Sequence, residues 1–165
     1  MKIITETPRL IVAEIDKHDA DLLFQLNSNR QVMRFFPNVL DYDENRRMIE
    51  QILDQYEKHG YCFWKLLLRN GKAFIGIAGL LHQEIDGDEE IEISYRIMPD
   101  YWNCGFATEA AHACKDYAEK ILRKTRLISI IHPENSASKC VAEKLGAKRT
   151  NITTFMNMEH EIYVY

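Results

Sequence analysis

The chain has 165 residues, 46% of them hydrophobic and 28% charged, and a formal net charge of -4. That length suits one domain, and a chain of this size buries roughly two-thirds of the surface its unfolded form exposes. The acidic balance argues against a nucleic-acid binder held by phosphate contacts. It leaves open a phosphate bound locally by one turn of backbone N–H groups.

The start, Met1-Lys2-Ile3-Ile4-Thr5-Glu6, lacks the apolar region of a secretory signal. The longest mostly apolar run, residues 74–81, is too short to span a bilayer. Four cysteines (Cys62, Cys104, Cys114, Cys140) are irregularly spaced with no C-x-x-C pair, which points away from a zinc knuckle or redox dithiol. They read as reduced thiols of a cytoplasmic protein. His82-Gln83-Glu84 matches the H-x-E of zinc deaminases, but the accompanying P-C-x-x-C is absent, so no metal site is expected.

In chain order, Thr7-Pro8-Arg9-Leu10-Ile11-Val12-Ala13 reads as a first strand. Asp16 caps a helix whose apolar positions are Ala20, Leu23, Phe24 and Leu26. A second helix begins near Asp43, with the stripe Met48, Ile49, Ile52, Leu53 and Tyr56, and Gly60 stands where a left-handed cap belongs. Residues 61–69 and 72–81 read as a hairpin, because Asn70-Gly71 suits a type I′ turn with positive φ at both positions. The acidic stretch 84–90 contains a second turn at Asp86-Gly87. In residues 91–97, apolar Ile91, Ile93, Tyr95 and Ile97 alternate with Glu92, Ser94 and Arg96, giving a strand with one polar face. A helix is expected over 106–122, a short buried strand over 127–131 and a helix over 136–145 closed by Gly146. A final strand pair is expected at 147–156 and 161–165. With no repeat or linker, residues 1–165 form a single mixed α/β domain.

The most informative segment is Asn103-Cys104-Gly105-Phe106-Ala107-Thr108, between the alternating strand and the helix after it. A helix start offers unpaired N–H groups and a partial positive charge. Gly105 lets the backbone approach an anion closely, and Ala107 is too small to block it. On its own, a glycine between strand and helix is commonplace.

The wider segment W-x-x-G-x-A-T-E-A-A resembles the R/Q-x-x-G-x-G/A acetyl-CoA motif of the GNAT N-acetyltransferase superfamily. It is most similar to the branch of the ribosomal-protein N-terminal acetyltransferases (RimJ/RimL-like). In that branch an aromatic, here Trp102, replaces the polar first residue. Thr7-Pro8-Arg9-Leu10, Glu92-Ile93-Ser94-Tyr95 with Pro99, Asn135-Ser136-Ala137-Ser138 and Glu143-Lys144-Leu145-Gly146-Ala147 resemble further segments of that branch, in order along essentially the whole chain.

The resemblance implies a mixed, mostly antiparallel central sheet flanked by helices, its fourth and fifth strands splayed around the pantetheine arm of acetyl-CoA. The backbone of Ile97 and Met98 would hold that arm, and one of their N–H groups would polarise the thioester oxygen. Asn103, Gly105, Phe106, Ala107 and Thr108 would hold the pyrophosphate, and Asn135 the pantetheine amides. Lys139, Lys144 and Lys148 are near in sequence for the 3′-phosphate. Direct attack by an amine needs a proton acceptor: Glu92 is the candidate, with His132 or water as alternatives, and a solvent-facing surface Glu is the bland reading. The Tyr that protonates the leaving thiolate in many members aligns with Ala142 and is missing, so Ser138 is the candidate acid. The acidic stretch either steers a cationic amine or is a solvated hairpin tip, while Cys104 and Cys140 read as packing residues. Phe35-Phe36-Pro37 is either a wall of the acceptor site or core, and residues 27–43 and the tail after Thr150 would form the acceptor loops. The implied acceptor is a protein N-terminus or a small amine, and relatives are monomers or dimers. A non-catalytic acyl-CoA-binding module on the same fold is the competing reading.

Overall fold

The computed structural model describes residues 1–165. Its strands are β1 (Ile3–Glu6), β2 (Leu10–Glu14), β3 (Phe63–Leu68), β4 (Phe74–Ile85), β5 (Asp88–Ile97), β6 (Ile128–Ile131), β7 (Lys148–Phe155) and β8 (Met158–Val164). Its helices are α1 (Ala20–Asn27), α2 (Tyr42–His59), α3 (Phe106–Lys120) and α4 (Ser136–Lys144). All eight strands form one sheet in the order β1-β2-β3-β4-β5-β6-β8-β7. Every junction is antiparallel except β5 with β6. The expected fold class is found, and the splayed fourth and fifth strands are β5 and β6.

Local chemistry accounts for most element ends. Asp41 and Glu44 form a reciprocal capping box at the start of α2, and Gly60 closes that helix at φ 80. Asp16 forms a similar box with Asp19 on a short 3-10 turn leading into α1. Asp86-Gly87 is a two-residue hairpin turn with positive φ at both positions, and the acidic stretch is therefore the tip of the β4–β5 hairpin.

Four expectations need correction. The segment 7–13 is not one strand: Thr7 Oγ1 accepts from Leu10 N–H at 2.9 Å and turns the chain at Pro8-Arg9, making β1 and β2 a hairpin. At 70–72 the positive φ values belong to Gly71 and Lys72, not Asn70. Lys72 N–H reaches Leu68 C=O, so the connection is longer than a two-residue type I′ turn. Helix α3 ends at Lys120, and Ile121, expected on its buried stripe, is 64% exposed. Strand β8 starts at Met158 because Met156 and Asn157 both take positive φ and turn the chain early.

The sheet divides the interior. On one face α3 lays Ala110, Ala111, Cys114 and Ala118 against Trp64, Leu80, Ile91 and Ile93. These small side chains let the helix sit close behind β4 and β5, with apolar burial as the driving force. On the other face, Leu23 and Leu26 of α1 and Ile49 and Ile52 of α2 pack on Phe63 and Ile77. Alternation along β5 therefore sends Ile91, Ile93 and Ile97 toward α3 and the even-numbered residues toward α1 and α2.

One polar knot ties the N-terminal hairpin to the start of α3. Glu109 accepts from Thr7 Oγ1 (2.5 Å), Arg9 N–H (3.0 Å) and Arg9 Nε (2.6 Å). Arg9 Nη1 also donates to Cys104 C=O at 2.8 Å, and its guanidinium lies 4.4 Å from the Phe106 ring centre. Burial works to raise the Glu109 pKa, but the bonds from Thr7 and Arg9 outweigh it and hold the carboxyl below its ordinary range. A depressed carboxyl contributes stability that is present above its unfolded pKa of about 4.3 and is lost as pH falls through the folded value. Glu109→Gln is expected to cost about 1–2 kcal/mol near neutral pH. It should also flatten the acid limb of a thermal-melt series below about pH 5, and a variant melting like the parent throughout would show that the knot contributes nothing.

Candidate active site

The opening begins where β5 and β6 part. Their parallel ladder has one register pair, Glu92 with Ile128. Just beyond it Ser129 Oγ donates to Ile93 C=O at 2.9 Å, so a side chain stands where a ladder bond would continue. Met98 N–H donates to Ile75 C=O of β4 at 2.8 Å. Since N–H directions alternate along a strand, those of Tyr95 and Ile97 point into the opening. Trp102 Nε1 takes the Ile97 carbonyl at 2.7 Å, leaving the Ile97 N–H as that residue's available group. Of the two expected backbone contacts, Ile97 faces the opening and the Met98 amide is committed to β4.

The turn after β5 has the geometry expected of it. Asn103 and Gly105 adopt φ 59 and 80, and Gly105 is the N-cap of α3. The first intrahelical bond runs from Glu109 N–H to Gly105 C=O. The N–H groups of Phe106, Ala107 and Thr108 ahead of it have no intrahelical acceptor. Asn103, Gly105, Phe106, Ala107 and Thr108 all line one cavity of about 730 Å³ running into the opening. Three free amides, an αL glycine and the positive end of a 15-residue helix fit a pyrophosphate.

Glu92, Ser138, Asn135 and His132 line the same cavity. Glu92 is 6% exposed and accepts from Gln83 Nε2 at 2.7 Å, so the solvent-facing reading fails. Burial pushes its carboxyl up to about 7, against the lowering pull of Gln83 and Arg96. His132 Nδ1 accepts from Glu134 N–H at 3.2 Å. That bond occupies Nδ1 and leaves Nε2 as the ring's other nitrogen. Of the two, Glu92 is buried and His132 half-buried.

Asn135 caps α4: its Oδ1 accepts from Ser138 N–H at 3.1 Å, leaving the Nδ2 hydrogens for a ligand. The Tyr95 hydroxyl donates to Ser138 C=O at 3.4 Å and also lies beside the Ser138 side chain. Ala142 is 1% exposed and packed among Ile131, Ala147 and Tyr163, so its position faces core rather than cavity. Among the three lysines only Lys144 lines the cavity; Lys139 pairs with Glu161 at 2.8 Å and Lys148 opens β7.

Phe35 and Phe36 line the cavity and Pro37 is exposed, so this segment is not core. The acidic hairpin tip does not. Asp86 accepts from Thr153, Glu90 pairs with Arg126, and of residues 84–92 only Glu92 reaches the cavity. Reading the sequence missed Gln83, Arg9, Glu109 and Arg96. Arg9 and Glu109 lie inside the segments that carried the family resemblance, and Gln83 had no local signal.

Known proteins share the family and the fold of this chain. The Acetyltransferase (GNAT) domain family matches residues 9–148. An uncharacterized N-acetyltransferase, YoaA of Bacillus subtilis (strain 168), is 28% identical over 90% of this chain and 85% of its own. The spermidine N(1)-acetyltransferase of Escherichia coli (strain K12) is 25% identical over 80% of this chain and 69% of its own. RimL, a ribosomal L7/L12 alpha-N-protein acetyltransferase solved with coenzyme A, superposes with a TM-score of 0.80 at 16% identity, covering 99% of this chain and 97% of that one. A match over residues 9–148, on a sheet that parts between β5 and β6, leads to one conclusion: the chain belongs to the GNAT acetyltransferase family.

Proposed function

We propose that this chain acetylates a primary amine by direct attack on acetyl-CoA, with Glu92 taking the proton from the amine and Ser138 supplying one to the departing sulfur. The observation that carries it is Glu92 itself: a buried carboxyl with a pKa of about 7, in the cavity that also holds the free N–H groups of α3. A general base works best when its pKa lies near the working pH. Acetyl-CoA supplies the activated acyl group. The amides of Phe106, Ala107 and Thr108 bind its pyrophosphate, Asn103 and Gly105 shape that turn, and Asn135 donates to the pantetheine. The N–H groups of Tyr95 and Ile97 face the pantetheine arm, the one nearer Glu92 being placed to polarise the thioester oxygen, and Met98 shapes the strand end beside them. Gln83 positions the Glu92 carboxylate for the amine.

A purely binding module has no use for a buried carboxyl tuned this way, since enclosing an ionisable group is costly. The acceptor is a small amine or a protein N-terminus, in line with the named activities of the relatives. Four free thiols, two of them buried, fit a reducing compartment such as the cytoplasm. No helix is long and apolar enough to cross a membrane.

The deciding assay mixes protein, acetyl-CoA and an amine panel with a thiol reagent. Release of CoA that depends on the amine supports transfer; tight CoA binding without release on any amine would make the chain a binding module. Activity should rise with pH through about 7 as Glu92 loses its proton. Glu92→Gln should remove that limb and lower kcat about 10²–10⁴-fold. Ser138→Ala should lower kcat by about tenfold, the worth of one hydrogen bond to the departing sulfur, with CoA affinity retained, and full turnover would remove the acid role. Gly105→Ala forces a Cβ into the left-handed region at a cost of about 1–2 kcal/mol; CoA affinity measured by calorimetry should fall while the acceptor KM holds.

A further inference from the structure

Arg96 projects from the same polar face of β5 as Glu92 and lines the same cavity. Its Nη1 donates to Asn27 Oδ1 at 2.8 Å, and Asn27 Nδ2 donates to Asn45 Oδ1 at 3.0 Å. Two buried amides, one from α1 and one from α2, thus fix the guanidinium in place. The rings of Phe36 and Phe63 flank it, 4.4 and 5.3 Å from Cζ to centroid. No carboxylate forms an ion pair with it, and its enclosed Nε meets no acceptor at all. Burial brings its pKa down to about 10, opposed by Glu92, so it stays charged at neutral pH. A half-buried cation held by neutral amides and aromatic faces has no carboxylate in direct contact with it. A second guanidinium, that of Arg34, sits at the exposed rim over the Phe35 ring at 5.2 Å.

We infer that Arg96 receives a carboxylate carried by the acceptor, so the amine that meets acetyl-CoA here belongs to a small amino acid or a similar aminocarboxylate. This inference rests on the acetyl-transfer reading above. A guanidinium pairs with a carboxylate through parallel N–H donors, which fixes orientation as well as charge. Glu92 and Arg96 stand on one strand face, roughly 13 Å apart at Cα. Glu92 at one end takes the proton from the amine, and Arg96 at the other holds the anionic end. A polyamine, cationic along its length, meets repulsion from Arg96 and Arg34.

The test uses the full chain, acetyl-CoA and straight-chain ω-amino acids of increasing length. Each acid is paired with its ω-amino carboxamide, and spermidine is run alongside. At the best length the carboxylate should exceed its carboxamide in kcat/KM by about tenfold or more, chiefly through KM. Arg96→Met should erase that difference while CoA affinity stays near the parent value, and Arg96→Lys should restore part of it. If the methionine variant does not fold, the comparison on the natural chain decides alone. Carboxamides or spermidine matching or exceeding the acids, or a preference that survives Arg96→Met, overturn the inference and leave acetyl transfer standing. Binding of CoA with no acetylation of any amine in the set overturns both readings.

Discussion

The site depends first on one carboxylate. Glu109 gathers three hydrogen bonds from Thr7 and Arg9, and through Arg9 Nη1 the same knot reaches the carbonyl of Cys104. The turn between β5 and α3 has left-handed residues at Asn103 and Gly105 and would be mobile if held only at its ends. Arg9 anchors it from outside, packing on Phe106 and standing beside Gly105. The carboxylate also lies in the first turn of α3, where negative charge is favoured by the helix field. The three amides ahead of it are thereby aimed without being consumed, which is the condition for binding an anion there.

The second constraint is the parting of β5 from β6. A parallel ladder limited to one register pair leaves a strand edge inside the protein, and such an edge is costly unless something bonds to it. Ser129 and Trp102 take two of the carbonyls, at Ile93 and Ile97. What remains is a short row of N–H groups facing the opening. The pleat then divides the labour of one strand: odd-numbered residues turn their backbone to the opening and their side chains to α3, while Glu92, Ser94 and Arg96 turn their side chains to the α1–α2 side. Backbone donors and polar side chains of a single strand thus face different directions and do not compete for the same ligand atoms.

The price of this arrangement is buried charge. Glu92 is buried and Arg96 half-buried on a face that an ordinary sheet would fill with aliphatic residues, and neither forms a direct ion pair. Gln83 holds one and Asn27 the other, each through a neutral hydrogen bond that orients the group without cancelling its charge. The contrast with Lys65, enclosed but paired with Asp19 at 2.5 Å on β3, separates a structural charge from one left available.

Much of this could be read from the chain alone, because local features obey local physics. Helix caps at Asp41 and Gly60, the Asp86-Gly87 turn, the alternation of residues 91–97 and the glycine of the phosphate turn each depend on residues a few positions apart. The errors were also local where a contact outside the window decided the outcome: Thr7 folding back on Leu10 split the first strand, and Leu68 with Lys72 shifted the Asn70-Gly71 turn by a residue. By itself the sequence determined the order of elements after the first strand, the polar face bearing Glu92 and the place of the glycine turn before α3. Only the tertiary structure decided that Glu92 is enclosed, that Met98 turns its amide away, that Arg9 and Glu109 brace the turn from 100 residues apart in sequence, and that Arg96 lacks a counter-ion. Burial and pairing are set by residues distant in the chain, and no pattern along the strand carries them.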